Sequence, residues 1–342
     1  MANPDAGKPA NSYINLVRNP FISANSPPLG LTMIVTLTPN TSLDQTVMIP
    51  AFELNRTIRA TKSQYGMAGK PTDASWILAE LGIPSLALGF AAGAIGQKIE
   101  TMLHSRKIKT DFVQVKGESR LNMVIICQDD GSQTTITTSS LEVTPEQIEA
   151  LLAKYESALD NASCVVMGGT LPKGVTPDFY VDAISRARAR NIPVIFDAGE
   201  PNLSAGLAAK PSFIKPNQDE LSGLVGSPVT DMATAYAAGK HIFDTYGTSS
   251  IMTFGGDGAL AVLPDRAYRI PPLKINVVSA AGAGDAVLAG LAASIERGQP
   301  IEEGLRLSIA AASAVCLMPG TADCRKEDVE AFLPQIELIP YG

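Results

Sequence analysis

Between Ser279 and Gly290 the sequence reads SAAGAGDAVLAG, which sets Gly282, Ala283, Gly284 and Asp285 at the head of an alanine-rich run. Two glycines this close let the backbone bend until several N–H groups face one point, at the positive end of the helix that follows. Such a turn is an anion hole. Asp285 stands at its mouth, where a carboxylate can take the proton of a hydroxyl that is about to attack phosphorus. A base beside an anion cradle points to phosphoryl transfer. On these residues alone a plainer reading stays open, in which Asp285 only caps a helix and the glycines only make a tight turn. A dinucleotide fingerprint does not fit, because Val287 occupies the place of its third small residue.

The elements that must hold this turn are legible around it. The β-branched run Ile275 to Val278 precedes it, so the local pattern predicts strand, glycine turn, helix. Along most of the chain short apolar runs alternate with helical patterns, the signature of a parallel sheet covered by helices. The predicted strands are Ile34–Leu37, Ser85–Gly89, Ser163–Met167, Val194–Asp197, Phe213–Lys215, Ser250–Phe254 and Ala259–Leu263. Thr144-Pro145-Glu146-Gln147 and Thr176-Pro177-Asp178 read as helix starts between them. The fold class expected is α/β, a doubly wound and mostly parallel sheet.

Two segments break the rhythm, about 46–61 and 111–138, where alternation persists without helix signals. Both read as antiparallel hairpins that form a small β-lid. In the second, Asn122–Cys127 and Gln133–Thr138 flank an Asp130-Gly131 turn. A small sheet needs its second face covered by a ligand or another subunit, which predicts a homodimer through the lid.

The 342 residues suffice for a large core. A net charge of −7, with no basic run interleaved with aromatics, argues against nucleic-acid or membrane partners and for small molecules. The four cysteines are scattered without a CxxC pair and there are two histidines, so neither a disulfide framework nor a zinc site is indicated. A cytoplasmic location follows as the expectation. Residues 1–32 are rich in Asn, Pro, Ser and Ala and lack an apolar signal core, so the reading is a disordered extension before a domain spanning 33–342, or a folded unit that starts at Met33.

From about Met33 to Glu330 the chain resembles the ribokinase-like (PfkB) carbohydrate kinases, in particular the branch of 1-phosphofructokinase and tagatose-6-phosphate kinase. The resemblance rests on Gly282-Ala283-Gly284-Asp285, on Thr38 to Asp44 (TPNTSLD), on Gly169 to Val175 (GTLPKGV), on Lys215 to Leu221 (KPNQDEL), on Phe254 to Ala259 (FGGDGA) and on Pro319-Gly320-Thr321. It implies an ATP- and Mg2+-dependent kinase of a phosphorylated ketohexose, with Asp285 as base and the N–H groups of Gly282, Ala283, Gly284 and Asp285 holding the transferred charge. Asn217 and Glu220 would lie near the nucleotide phosphates and the metal, through water, with Lys215 as a phosphate contact. Thr253, Gly255 and Gly258 would form the nucleotide loop. Asp44, Gly69, Lys70, Asp73, Arg120 and Asn122 would bind the sugar, Arg120 gripping the phosphate it already carries.

The family's usual motif at residues 68–73 is two glycines, lysine, glycine, any residue and asparagine, and here it reads Ala68-Gly69-Lys70-Pro71-Thr72-Asp73. Pro71 removes a backbone donor, and Asp73 puts a carboxylate where an amide is expected. Its charge would disfavour a nearby phosphate, so a kinase of an unphosphorylated sugar or nucleoside is the alternative, and a catalytically weak ligand-binding sensor a second one. Thr138-Ser139-Ser140-Leu141, in place of a Pro-Gly-Pro turn, points the same way. Residues 64–70 are not a Walker A loop, since Gln64 replaces its first glycine and Pro71 follows Lys70.

Overall fold

The computed structural model describes residues 32–342; the extension expected over 1–32 lies, but for its last residue, outside them. The described residues form two sheets. The larger runs through the strands Ile339–Pro340, Ala267–Ile270, Ala259–Val262, Ser249–Thr253, Phe213–Ile214, Val194–Asp197, Ala162–Gly168, Met33–Asn40, Ser85–Ala91 and Lys109–Thr110 in spatial order. From Ser249–Thr253 onward to Lys109–Thr110 every pairing is parallel, and the first three strands add an antiparallel edge.

Neighbouring residues of the central strands go to opposite cores, as strand geometry requires of a sheet buried on both faces. Ile34, Cys164, Val166 and Ile195 pack with the helices Lys70–Glu80, Ala283–Glu296 and Ile301–Val315. Val35, Leu37, Val165, Met167 and Phe196 face the other way, against Pro145–Ala158, Asp178–Ala189 and Met232–Tyr246. The helix Ala283–Glu296 is apolar nearly all round and correspondingly buried. Small residues let its neighbour come close: a Cβ at Gly290 would stand 2.4 Å from Ser308 Cα. Ser308 Oγ donates to Val287 O at 2.9 Å, so the helix carrying Asp285 is braced along its length.

The expected strand over Ile275–Val278 does not form. That segment is irregular, with Val277 and Val278 exposed, and its anchor is the Val278 N–H donated to Cys316 O at 2.8 Å. No neighbouring strand among the described residues offers it a ladder, so β-branched composition alone does not make a strand there.

The smaller sheet has the order Lys62–Ala68, Ser42–Ile49, Arg120–Cys127, Gln133–Ile136. It corrects the expected lid in three ways. Its first hairpin is Ser42–Ile49 with Lys62–Ala68, and residues 50–61 are mostly the connection. Val113–Gln114 pairs with Ser85–Ala91 in the large sheet, so the lid begins at Arg120. The two inner strands run parallel, Asp44 opposite Asn122, because the chain passes through the main domain before returning. The Asp130-Gly131 hairpin stands as read, with Met123 opposite Ile136. The Thr144 start is also as read, its hydroxyl accepting from Gln147 N and its own N–H donating to the Gln147 side chain.

Candidate active site

Three groups of predicted residues meet where the parallel strands end and the lid begins. The first comes from the lid. Asp44 and Asn122 stand side by side on adjacent strands, and Asn122 Nδ2 donates to Asp44 Oδ1 at 2.9 Å. Thr321 Oγ1 donates to Asp44 Oδ2 at 2.8 Å, and Thr138 N donates to Asn122 Oδ1 at 3.4 Å. Asn122 thus spends its amide on holding Asp44. Burial raises the Asp44 carboxyl above its ordinary value, against the pull of Asn122, Thr321 and Arg120. Arg120 Nη2 reaches Asn40 O at 3.5 Å and Ser42 Oγ at 3.3 Å, while its Nε is buried with no acceptor among the described residues. Burial lowers its affinity for its proton and Asp44 partly restores it.

The second group sits at the N-terminus of the helix Lys70–Glu80. Gly69 precedes it at φ 95°, a left-handed backbone that favours glycine, and a Cβ there would lie 2.9 Å from Thr38 Cγ2. Pro71 fits the first turn, where its missing N–H is not needed. Lys70 Nζ lies 2.6 Å from Asp197 Oδ1 and 3.3 Å from Glu220 Oε1. Burial works against its charge, yet Asp197, Glu220 and Asp285 outweigh that and raise its pKa. Asp73 points inward, 3% exposed. Burial first, then Asp285 and Asp44, push its carboxyl well above the usual range. Asp73 therefore favours its uncharged form. That direction runs against the negative charge expected at this position.

The third group is the glycine turn. Gly282 takes φ 83°, and a Cβ on it would come within 2.4 Å of Ala322 N. Ala283 N and Asp285 N already donate inside the turn, to Ala280 O at 3.2 Å and Gly282 O at 3.0 Å. The cradle is thus narrower than four N–H groups: those of Gly282 and Gly284 have no partner among the described residues. Lys215 adds a charge beside them, since a Cβ on Gly284 would lie 3.4 Å from its Nζ. Asp285 is half-buried and its carboxyl is pushed up to about 7 by burial and then by Asp197, with Lys70, Lys215 and a hydrogen bond from Asp73 pulling the other way. A base poised near neutrality suits proton abstraction at ordinary pH.

Asp197 binds these groups together and was missed as a site residue in the sequence. It ends the strand Val194–Asp197, 1% exposed, between Lys70 and Lys215, whose Nζ stands 3.0 Å from its Oδ2. Burial raises its pKa but the two lysines win, and the net shift is downward. The available signal was an acid closing an otherwise apolar strand. Thr321, quoted only as part of a motif, and Asn40, whose Nδ2 donates to Thr170 Oγ1 at 3.0 Å, complete the frame.

Next to the turn opens a cleft of about 450 Å3 lined by Thr253, Gly255, Gly258, Ala283, Gly284 and Cys316 among others. Nothing lies within 4 Å of a Cβ built on Gly255 or Gly256, so the loop leaves room for a nucleotide. Asn217 and Glu220 cap the helix Gln218–Val225 reciprocally: Asn217 Oδ1 accepts from Glu220 N at 2.8 Å, and Glu220 Oε2 accepts from Asn217 N at 2.9 Å. With Oε1 facing Lys70, both Glu220 oxygens are engaged, which fits outer-sphere contact with a metal through water rather than direct ligation. Among the described residues, a cluster of three side chains able to hold a metal occurs instead at Cys127, Asp129 and Asp130, on the lid hairpin.

The pattern of the pfkB family carbohydrate kinases matches residues 37–328. The chain is 32% identical over 307 residues to the 1-phosphofructokinase of Borreliella burgdorferi, covering 90% of this chain and 98% of that protein. It is 31% identical over 311 residues to the tagatose-6-phosphate kinase of Staphylococcus epidermidis, covering 90% and 99%. A crystal structure of phosphofructokinase-2 from Escherichia coli superposes with a TM-score of 0.82 at 26% identity, covering 89% of this chain and 99% of that one.

Proposed function

Since the chain belongs to the pfkB family of carbohydrate kinases, we propose that it transfers a phosphoryl group from ATP to a hydroxyl of a phosphorylated ketohexose, with Asp285 as general base. The observation that carries the phosphosugar reading is Arg120: a guanidinium whose Nε is buried without an acceptor suits a fixed anion, which a planar fork can grip through two oxygens. The charge of Asp73 was one motive for an unphosphorylated substrate, beside Pro71 and the Thr138–Leu141 turn, and burial against Asp285 and Asp44, which favours the neutral carboxyl, weakens that motive.

In this reading Asp285 takes the proton of the acceptor hydroxyl, while Asp44 accepts further sugar hydroxyls on its remaining lone pairs. Gly282 N, Gly284 N and Lys215 Nζ face the charge of the transferred group. Asn217 and Glu220 would hold Mg2+ through water, where it would offset the charge on the phosphate oxygens of an ATP that would supply the phosphoryl group. Thr253, Gly255 and Gly258 line the nucleotide end of the cleft. Ser279 Oγ donates to Gln133 Oε1 at 3.0 Å, which joins the lid to the glycine turn and helps keep water from the site. A cytoplasmic setting fits an enzyme that consumes ATP and sugar phosphates.

The outer face of the lid supports a homodimer. Tyr65, Gln45, Met123 and Ile136 lie in one row across the four strands, and Tyr65, Met123 and Ile136 are 43%, 40% and 51% exposed. A second copy is the occupant such a row fits, sheet against sheet.

The deciding assay is ADP release by the purified protein with Mg-ATP across ketohexoses, their 1- and 6-phosphates and nucleosides. Turnover confined to ketohexose phosphates is the expected result; turnover only on uncharged substrates removes Arg120 from the phosphate grip.

A further inference from the structure

The residue that departs from its expected type, Asp73, touches the group assigned as the base. It lies one turn into the helix Lys70–Glu80, and Asp285 lies in the first turn of Ala283–Glu296, so two positive helix ends converge on one pair of carboxyls. Asp73 Oδ1 is buried, and no N–H or O–H among the described residues reaches it. The group hydrogen-bonded to the Asp73 side chain is the Asp285 carboxyl. Two ionised carboxylates cannot share such a contact, because each would face a like charge with no donor between them. One proton must lie in the pair.

We propose that Asp73 is a positioning residue of the kinase reaction: as a carboxylic acid it donates its proton to Asp285 and fixes the carboxylate that receives the substrate proton. The proposal rests on the kinase reading for its catalytic half, while the shared proton rests on the meeting of the two carboxyls and on the buried Asp73 Oδ1 that has no donor.

The surrounding charges decide which partner keeps the proton. Asp197 raises the Asp285 carboxyl, but two lysines, Lys70 and Lys215, act on it in the opposite direction. Asp73 faces Asp44 from the lid, and no cation acts on it comparably. The proton therefore stays on Asp73 and the charge on Asp285. Loss of a first proton from the pair leaves a competent base. Loss of the second removes the hydrogen bond that orients Asp285 and adds a charge beside the sugar site. Activity should then rise through the first titration and fall through the second, and these steps belong to the pair rather than to either residue.

The test pairs a spectroscopic readout with kinetics. Infrared difference spectra of the protein labelled with 13C-aspartate, wild type against Asp73→Asn at pH 8, should show a carboxylic-acid C=O band in the wild type that the variant lacks. No such band in the wild type, or an unchanged one in Asp73→Asn, overturns the shared proton. For kcat against pH with Mg-ATP and ketohexose phosphates, the wild type should give a bell and Asp73→Asn only its acid limb, because an amide still donates but does not titrate. A basic limb that persists in Asp73→Asn overturns the positioning role. Asp73→Ala, which donates nothing, should lose roughly 100-fold in kcat, the scale of a small misplacement of a reacting group. The band without ADP release on any sugar phosphate would sink the kinase reading and leave the proton pair standing.

Discussion

Lys70 Nζ and Asp197 Oδ1 stand 2.6 Å apart, an ion pair that ties the N-terminus of the helix Lys70–Glu80 to the C-terminal end of the strand Val194–Asp197. Lys215 meets the other oxygen of Asp197 at 3.0 Å, so one buried carboxylate offsets two lysines. Both cations also act on Asp285. The pair therefore sets the position and the charge of the site together.

Asp197→Asn should take the ion-pair partner from the nearly buried Lys215 and lower stability by about 3 kcal/mol, the low end for breaking a buried pair, since Lys215 still feels Asp285 and Lys70 keeps Glu220 and some solvent. Urea unfolding of both proteins measures this. The folded pKa of Asp197 is depressed, so its contribution is present above the ordinary carboxylate pKa and is lost as pH falls through the folded value. The gap between wild type and variant should narrow on acidification; a gap that widens would refute the ion-pair account.

Asp285→Asn should lower kcat by roughly 1,000-fold, within the usual range for a general base, while nucleotide affinity changes little. ADP release and calorimetric titration with ATP read the two effects separately. Activity close to wild type would take the base role away from Asp285.

Arg120→Met keeps the apolar stem of the side chain and removes its charged head. KM for a ketohexose phosphate should rise about 10- to 100-fold, the scale of one or two charge-assisted hydrogen bonds, with kcat less affected. Rates on an unphosphorylated ketohexose should hardly move. Equal loss on both substrates would mean that Arg120 supports the lid rather than gripping phosphate.

Ile136→Lys sets a charge at the edge of the exposed lid row without touching Asp44 or Asn122, which lie on the opposite face. In sedimentation analysis the wild type should run as a dimer and the variant as a monomer. A wild-type monomer would leave that face without the proposed occupant.

Much of the fold could be read directly, because strands buried on both faces leave continuous apolar runs that differ sharply from amphipathic helices. Val194–Asp197 falls where the pattern put it, and Thr144 caps its helix as its spacing with Gln147 requires. Ile275–Val278 shows the limit: its residues favour a strand, but a strand also needs a neighbour to pair with, and none is there. The parallel pairing of Asp44 with Asn122 was equally hidden, since residues 78 apart carry no local sign of register.

For the site, the sequence by itself determined the chemistry at hand: a glycine turn with an acid at its mouth, an arginine and an aspartate on the lid, and a lysine before the altered position 73. Only the tertiary structure decided their charges. Burial and the neighbours brought by other strands and helices set whether a carboxyl keeps its proton, and these are long-range properties that residue type does not carry. Thus Asp197, which looked like the end of a strand, stands between Lys70 and Lys215, which hold its carboxyl below the ordinary range. Asp73, which read as a negative charge, is buried against Asp285 and Asp44, surroundings that favour its neutral form.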